Sequence, residues 1–263
     1  MTQFNQLTGI ISSLNQSLER LGFPSMTPVQ AGTLPDALYG RDIMAQGQTG
    51  SGKTVAFAVA TLNKVEVTRF ATQVVVLCPT RELAAQVAEQ YRAVGQCMPN
   101  LKVLTLCGGE PMGPQIQSLK HGAHVIVGTP GRILDHLQKK RIDLSEVSSR
   151  VLDEADRMLD MGFSDDVDEI FSYTAEPVQT LLFSATWTDG IKRMANKYLA
   201  DPLSFTAKAE NVANPDIEQQ AYSVEEHTRL NALKAVLTTI QPTKAILFCN
   251  TRKRVTEEVE ELA

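Results

Sequence analysis

The stretch Asp42-Ile43-Met44-Ala45-Gln46-Gly47-Gln48-Thr49-Gly50-Ser51-Gly52-Lys53-Thr54-Val55-Ala56-Phe57-Ala58 decides the fold. Asp42–Ala45 reads as a short strand, and from Lys53 to Asn63 apolar residues fall at helical spacing. Between them stands Gly47-x-x-x-x-Gly52-Lys53-Thr54. Glycines let backbone N–H groups turn toward oxyanions, and a helix N-terminus adds partial positive charge. Lys53 would neutralise the β- and γ-phosphates of a nucleotide, and the Thr54 hydroxyl would ligate Mg²⁺. The competing reading is a glycine-rich turn. By composition the pattern arises in roughly one chain in a hundred of this length, and its place between strand and helix makes chance rarer still. It reads as a phosphate-binding loop.

Further apolar runs punctuate the chain at Val74–Cys78, Lys102–Leu106, His124–Val127, Val151–Asp153, Thr180–Phe183, Gln219–Val224 and Lys244–Cys249. Helical spacing fills segments between them, such as Glu82–Val94 and Gly190–Leu199. Strands that are apolar throughout are buried on both faces, and alternation with helices implies an α/β fold with a doubly wound, mostly parallel sheet. Ligands of such sheets bind at the carboxyl ends of the strands. Residues 207–216 (AKAENVANPD) are polar, carry a proline and read as a linker. Residues 1–206 form one expected domain. Residues 217–263 hold only a strand, a helix, a strand and the start of a helix, which reads as an incomplete second α/β domain.

The composition excludes several classes. The longest apolar run, Val55–Ala60, is six residues, so no transmembrane helix is expected. The opening residues MTQFNQLTGI lack a basic region followed by an apolar block, so no secretory signal is expected. Four cysteines lie far apart without a C-x-x-C pair, and Cys78 and Cys249 read as reduced core residues of a cytoplasmic protein. Net charge is −5, so nucleic-acid binding would rest on a local site rather than a basic surface.

Val151-Leu152-Asp153-Glu154-Ala155-Asp156 puts three carboxylates just past an apolar strand. One can hold Mg²⁺ through water and another can orient and deprotonate an attacking water. An acidic helix start is favourable without any function, but beside a phosphate-binding loop the catalytic reading is the stronger.

With these residues in place the chain resembles the DEAD-box RNA helicases over its whole length, in the family's motif order. Gly22-Phe23-Pro24 through Thr27-Pro28-Val29-Gln30, with Phe4 upstream, resembles the Q motif. Ala45–Thr54 resembles motif I, Pro79-Thr80-Arg81-Glu82-Leu83-Ala84 motif Ia, and Gly108-Gly109 and Thr129-Pro130-Gly131-Arg132 the GG and Ib elements. Asp153-Glu154-Ala155-Asp156 resembles motif II, Ser184-Ala185-Thr186 motif III and Ile246–Thr251 motif IV. The stretches LCPTRELA, LCGG, DEADRMLDMGF and LLFSATW are most similar to the bacterial DbpA type.

The resemblance implies a RecA-like fold and RNA-dependent ATP hydrolysis coupled to local duplex unwinding, with ribosomal RNA as the target. ATP and Mg²⁺ would be held by Gln48, Thr49, Gly50, Ser51, Gly52, Lys53 and Thr54. Gln30 would bond the adenine edge, and Phe4 or Phe23 would pack on the ring. Asp153 would hold the metal with Thr54, and Glu154 the hydrolytic water. Ser184 and Thr186 would bond Asp156 and link the nucleotide to RNA. Pro79, Thr80, Arg81, Gly108, Gly109, Thr129, Pro130, Gly131 and Arg132 would form the surface for one RNA strand. An arginine fork, free backbone N–H groups and a hydroxyl suit phosphate contacts without base readout.

Three departures matter. Gly47 stands where the family usually has alanine, with no loss expected. Arg150 leads into the motif II strand at an apolar position, where an unpaired buried guanidinium would cost several kcal/mol, so it must reach solvent, find a carboxylate or reflect an altered sequence. Motifs V and VI do not occur in these residues, so very low activity is expected of this length alone, with self-association through 217–263 as one way to cover apolar strand faces. Two rival readings are an ATP- and RNA-binding module without turnover, and an ordinary P-loop ATPase acting on protein or DNA. His121-x-x-His124 lacks a third ligand and reads as a surface turn rather than a metal site. His136 reads as an ordinary helix residue, and Trp187 as packing.

Overall fold

A computed structural model describes residues 3–48, 50–207, 218 and 220–262. The chain divides into two compact units, Met1–Ala209 and Glu210–Ala263. In the first, the strands are β1 (Ile43–Gln46), β2 (Val74–Leu77), β3 (Val103–Leu106), β4 (Val125–Gly128), β5 (Ser149–Leu152), β6 (Gln179–Ser184) and β7 (Leu203–Thr206). The helices are α1 (Ser12–Arg20), α2 (Pro28–Leu38), α3 (Lys53–Leu62), α4 (Arg81–Val94), α5 (Met112–Leu119), α6 (Pro130–Gln138), α7 (Ala155–Asp160), α8 (Ser164–Ser172) and α9 (Asp189–Tyr198).

The seven strands form one sheet in the order β3-β4-β2-β5-β6-β1-β7, and every neighbouring pair is parallel. Alternate residues feed two cores. Val74, Val76, Val125, Val127, Leu181 and Phe183 pack with Phe57 and Tyr91 on one side. Val75, Leu77, Ile126, Leu152 and Leu182 pack with Ile133, Met158 and Ile170 on the other. This is the doubly wound arrangement expected of strands apolar on both faces. The register levels the strand ends: Leu77 lies beside Gly128 and Leu152, Leu152 beside Leu182, and Gln46 beside Ser184. Every loop that follows one of these strands therefore opens on one edge.

The fold departs from expectation in four places. β7 was not anticipated: as an edge strand it alternates half-buried and exposed residues, without the apolar run of a central strand. β5 begins at Ser149, so Arg150 lies inside the sheet, opposite Val75 and Thr180. His124 is fully buried rather than part of a surface turn; its ring packs on Phe70 with centroids 5.3 Å apart. The fourth concerns the second unit.

Among its described residues the second unit has helices α10 (Arg229–Ile240) and α11 (Arg252–Leu262) and no strand. Residues 220–224 and 244–249 are not strands there, and Gln219 lies outside the described residues. A strand needs a neighbour for its backbone groups and a face to bury; Ile246 and Phe248 are 83% and 87% exposed. Cys249 is half-buried, not a core residue. The expected linker, except Ala207, lies outside the described residues.

Candidate functional site

The β1–α3 loop turns at Gly52, whose φ of +90° suits glycine. Space adds a second reason: a Cβ there would lie 2.6 Å from Gln30 Nε2 and 2.8 Å from Thr27 Oγ1. Gln30 is buried and serves two structures at once. Its Oε1 accepts from the Thr27 N–H at 2.9 Å, closing a capping box on α2, and its Nε2 donates to the Gly52 carbonyl at 3.1 Å. One lone pair and one N–H of the amide remain, the donor–acceptor couple an adenine edge requires. Lys53 opens α3, is buried, and donates from Nζ to the Gly47 carbonyl at 2.5 Å. Ser51 Oγ donates to the Gln48 carbonyl at 2.8 Å. Thr49 lies outside the described residues.

Across this loop stands the end of β5. Asp153 is 3% exposed, and burial pushes its carboxyl up to about 6 despite the opposing attraction of Lys53. Glu154 follows with φ +52° and ψ +52°, a left-handed conformation that a non-glycine residue holds only where its surroundings enforce it. The Glu154 N–H donates to Asp153 Oδ1 at 3.1 Å, and Arg157 Nη1 donates to Glu154 Oε2 at 3.2 Å. Gly50, Gly52, Lys53, Thr54, Asp153 and Glu154 line one cleft of about 390 Å³. A buried ammonium bonded to a loop carbonyl faces a buried carboxyl beside glycine backbone. Phosphate oxygens and a divalent cation fit these groups.

β6 runs between β1 and β5 and delivers Ser184-Ala185-Thr186 to the middle of the site. Asp156 Oδ2 accepts from the Thr186 N–H and Thr186 Oγ1, both at 3.0 Å. Ser184 departs from expectation: its Oγ donates to the Thr186 carbonyl at 2.8 Å and does not bond Asp156. The phosphate-binding loop is tied to this segment through Gly47 N–H to the Ser184 carbonyl (3.2 Å) and Gln46 Nε2 to the Ala185 carbonyl (2.9 Å).

Three further loops share the edge, after β2, β3 and β4. Thr80 caps α4 by accepting from the Leu83 N–H. Thr129 Oγ1 accepts from the Gly108 N–H at 3.3 Å, joining the β4 and β3 loops. Gly109, at φ +79°, lies against Arg81: a Cβ on it would be 3.1 Å from Nη1. Arg81 is exposed and paired with Glu82 at 2.7 Å. Gly131 is exposed and Arg132 half-exposed, whereas Pro79 and Pro130 are buried. The two prolines therefore set turns and offer no contact surface. Phe4 is buried and Phe23 is 37% exposed; both line a separate cleft of about 370 Å³, which Gln30 does not line.

Sequence reasoning missed two buried polar groups beneath this edge, Gln115 and His136, treated below. Neither has a signal in the sequence, because a glutamine or histidine on an amphipathic helix usually faces water. Among the described residues no cluster of three or more metal-ligating side chains occurs, and no helix is long and apolar enough to cross a membrane.

A parallel α/β sheet with a lysine-bearing glycine loop and a buried carboxyl across one strand defines a P-loop nucleotide-binding protein. Residues 27–194 match the DEAD/DEAH box helicase family model, and the chain belongs to that family. It is 46% identical over 253 residues to the ATP-dependent RNA helicase DbpA of Escherichia coli, covering 96% of this chain and 55% of the relative. It is 41% identical to the DEAD-box ATP-dependent RNA helicase CshA of Bacillus subtilis, covering 100% of this chain and 53% of the relative. A crystal structure of a DEAD box protein from Methanococcus jannaschii superposes with a TM-score of 0.74 at 35% identity, over 100% of this chain and 70% of that one. The chain spans about half the length of these two curated relatives.

Proposed function

We propose that the chain binds ATP with Mg²⁺ and the backbone of one RNA strand, as the nucleotide-binding half of an ATP-dependent RNA helicase. The observation that carries this is the single edge on which the Lys53–Asp153 cleft and the loops after β2, β3 and β4 meet. Residues 1–206 are then the RecA-like ATP-binding domain, 207–216 its linker and 217–263 the start of a second helicase domain.

In this reading Lys53 counters phosphate charge, Thr54 and Asp153 hold the cation, and Glu154 holds a water for attack on the terminal phosphorus. When bound, Mg²⁺ supplies charge neutralisation on the phosphate oxygens. The remaining lone pair and N–H of Gln30 select adenine. Thr186, held by Asp156, joins this cleft to the RNA surface of Thr80, Arg81, Gly108, Gly109, Thr129, Gly131 and Arg132. Ribosomal RNA as the target rests on the sequence resemblance alone. A cytoplasmic setting is supported by Cys78, Cys97, Cys107 and Cys249 all being free thiols.

Fluorescent ADP and GDP analogues test the nucleotide assignment. The adenine analogue should bind and the guanine analogue should not, and Gln30→Ala should erase the difference; equal binding of both by the unaltered chain would sink it. Glu154→Gln should spare nucleotide binding and abolish phosphate release measured with and without RNA. Undiminished release would show that another group activates the water.

A further inference from the structure

Gln115 of α5 is 6% exposed and uses every hydrogen-bonding position it has. Its Nε2 donates to the Cys107 carbonyl and to Glu110 Oε2, both at 3.2 Å. Its Oε1 accepts from Arg132 Nη1 at 2.9 Å and lies 3.0 Å from His136 Nε2. The partners fix the orientation of the amide. A guanidinium only donates, whereas a carbonyl and a carboxylate only accept, so the oxygen must face Arg132 and the nitrogen must face the β3 loop. His136 Nε2 must then carry the proton. Burial, and next Arg141 and Arg132, hold the fully buried imidazole below the usual histidine range. The other nitrogen, Nδ1, is buried with no hydrogen-bond partner in the structure.

Arg132 also binds that loop directly, through Nη1 to the Glu110 carbonyl at 3.1 Å. One corner of its fork is thus used inside the protein, while the rest of a half-exposed guanidinium remains for an outside anion. The loop it grips contains Gly108 and Gly109, and Gly108 in turn bonds Thr129. A single buried amide therefore stands behind the β3 loop and the start of α6.

We propose that Gln115 is a positioning residue for the RNA surface, holding Arg132 and the Cys107–Glu110 loop in one arrangement, with His136 fixing the amide from behind. This rests on the RNA reading given above. Gln115 does not itself reach the ligand; it acts through Arg132 and the loop.

The full chain is tested by fluorescence anisotropy with a labelled oligouridylate across a salt series. Gln115→Leu should weaken binding about tenfold, the effect of losing one charge-assisted phosphate contact. The slope of log affinity against log salt should fall by about 0.7, one phosphate on a single strand. Loss in Gln115→Leu combined with Arg132→Ala should fall short of the sum of the two single losses, and affinity for a fluorescent ADP analogue should stay as in the unaltered chain. Should Gln115→Leu not fold, His136→Phe removes a single donor to the amide. It should give a smaller loss with the same non-additivity, and faster amide hydrogen exchange in 107–110 but not in 47–54. Additive losses, or an unchanged salt slope with unchanged exchange, would overturn the positioning role. No binding of the oligonucleotide by the unaltered chain at any salt concentration would overturn the RNA reading of the surface and this role with it.

Discussion

Arg150 offers the sharpest test of the fold, because a charged residue inside a central parallel strand is anomalous and its surroundings can be evaluated atom by atom. Its side chain is 6% exposed. Nε donates to Thr180 Oγ1 at 2.7 Å, Nη1 to Thr174 Oγ1 at 3.1 Å and Nη2 to the Tyr198 carbonyl at 3.3 Å. The guanidinium carbon lies 4.4 Å from the centre of the Phe171 ring. Glu176 supplies a carboxylate at 3.3 Å, but its own side chain is 67% exposed. Burial, opposed by Glu176, pulls the guanidinium below its ordinary range, yet it remains a cation. An exposed partner of this kind contributes about 1 kcal/mol at most, so the hydroxyls, the carbonyl and the ring carry the stabilisation.

Arg150→Ala should therefore cost about 3–5 kcal/mol, the range for dismantling a buried charged network. Arg150→Met keeps volume over Phe171 and should cost about half as much, and Glu176→Gln less than about 1 kcal/mol. At about 2–4 °C per kcal/mol for a unit of this size, Arg150→Ala should lower the melting midpoint by about 10 °C. Trp187 is the chain's single tryptophan and lies in the first unit, so its fluorescence reports this melt. An Arg150→Ala midpoint within about 2 °C of the unaltered chain would refute the account. Equal damage from Glu176→Gln would show that the ion pair, not the buried network, matters.

Three further predictions concern the site. Because burial holds Asp153 at about 6, above its unfolded value near 4, the native state takes up this proton first. Stability without nucleotide should rise as pH falls from about 6 toward about 4, and Asp153→Asn should remove that rise in melting midpoint. In the same window Mg²⁺-dependent nucleotide affinity should fall, because the cation requires the carboxylate; titrations at several pH values decide it. Gly52→Ala should abolish nucleotide binding and lower stability by about 1–3 kcal/mol, since φ +90° and the 2.6 Å approach of Gln30 both exclude a Cβ; chemical denaturation and nucleotide titration check the two effects. Asp156→Asn keeps one acceptor oxygen for the two Thr186 donors and should leave nucleotide affinity within about twofold of the unaltered chain, whereas Asp156→Ala should speed amide exchange at Thr186.

The legible part of the molecule was the part written locally. β1, the turn at Gly52 and α3 follow from seventeen consecutive residues, and the two-faced burial of Val74–Leu77 and Val125–Val127 follows from apolar runs without alternation. β7 escaped because an edge strand lacks such a run. The expected strands at 220–224 and 244–249 are absent for a complementary reason: an apolar run licenses a strand, but only a neighbour makes one.

The roles of Arg150, Gln115 and His136 were illegible for a different reason. Each is a polar residue with partners on other elements of the fold: Arg150 meets Thr180 and Tyr198, and Gln115 meets Arg132 and His136. Periodicity could place their Cα atoms but not their hydrogen bonds. Motif positions such as Lys53, Asp153 and Arg132 are recognisable because the proposed function sets their chemistry against a ligand. The buried polar groups face only the protein. Sequence reading therefore finds the groups that would touch ATP and RNA more readily than those that hold them in place. Arg150→Ala and Gln115→Leu differ accordingly: the first should lower the melting midpoint by about 10 °C, and the second should leave the midpoint close to that of the unaltered chain with a loosened surface. A Gln115 variant that melted as early as Arg150→Ala would assign the amide to the core rather than to the site.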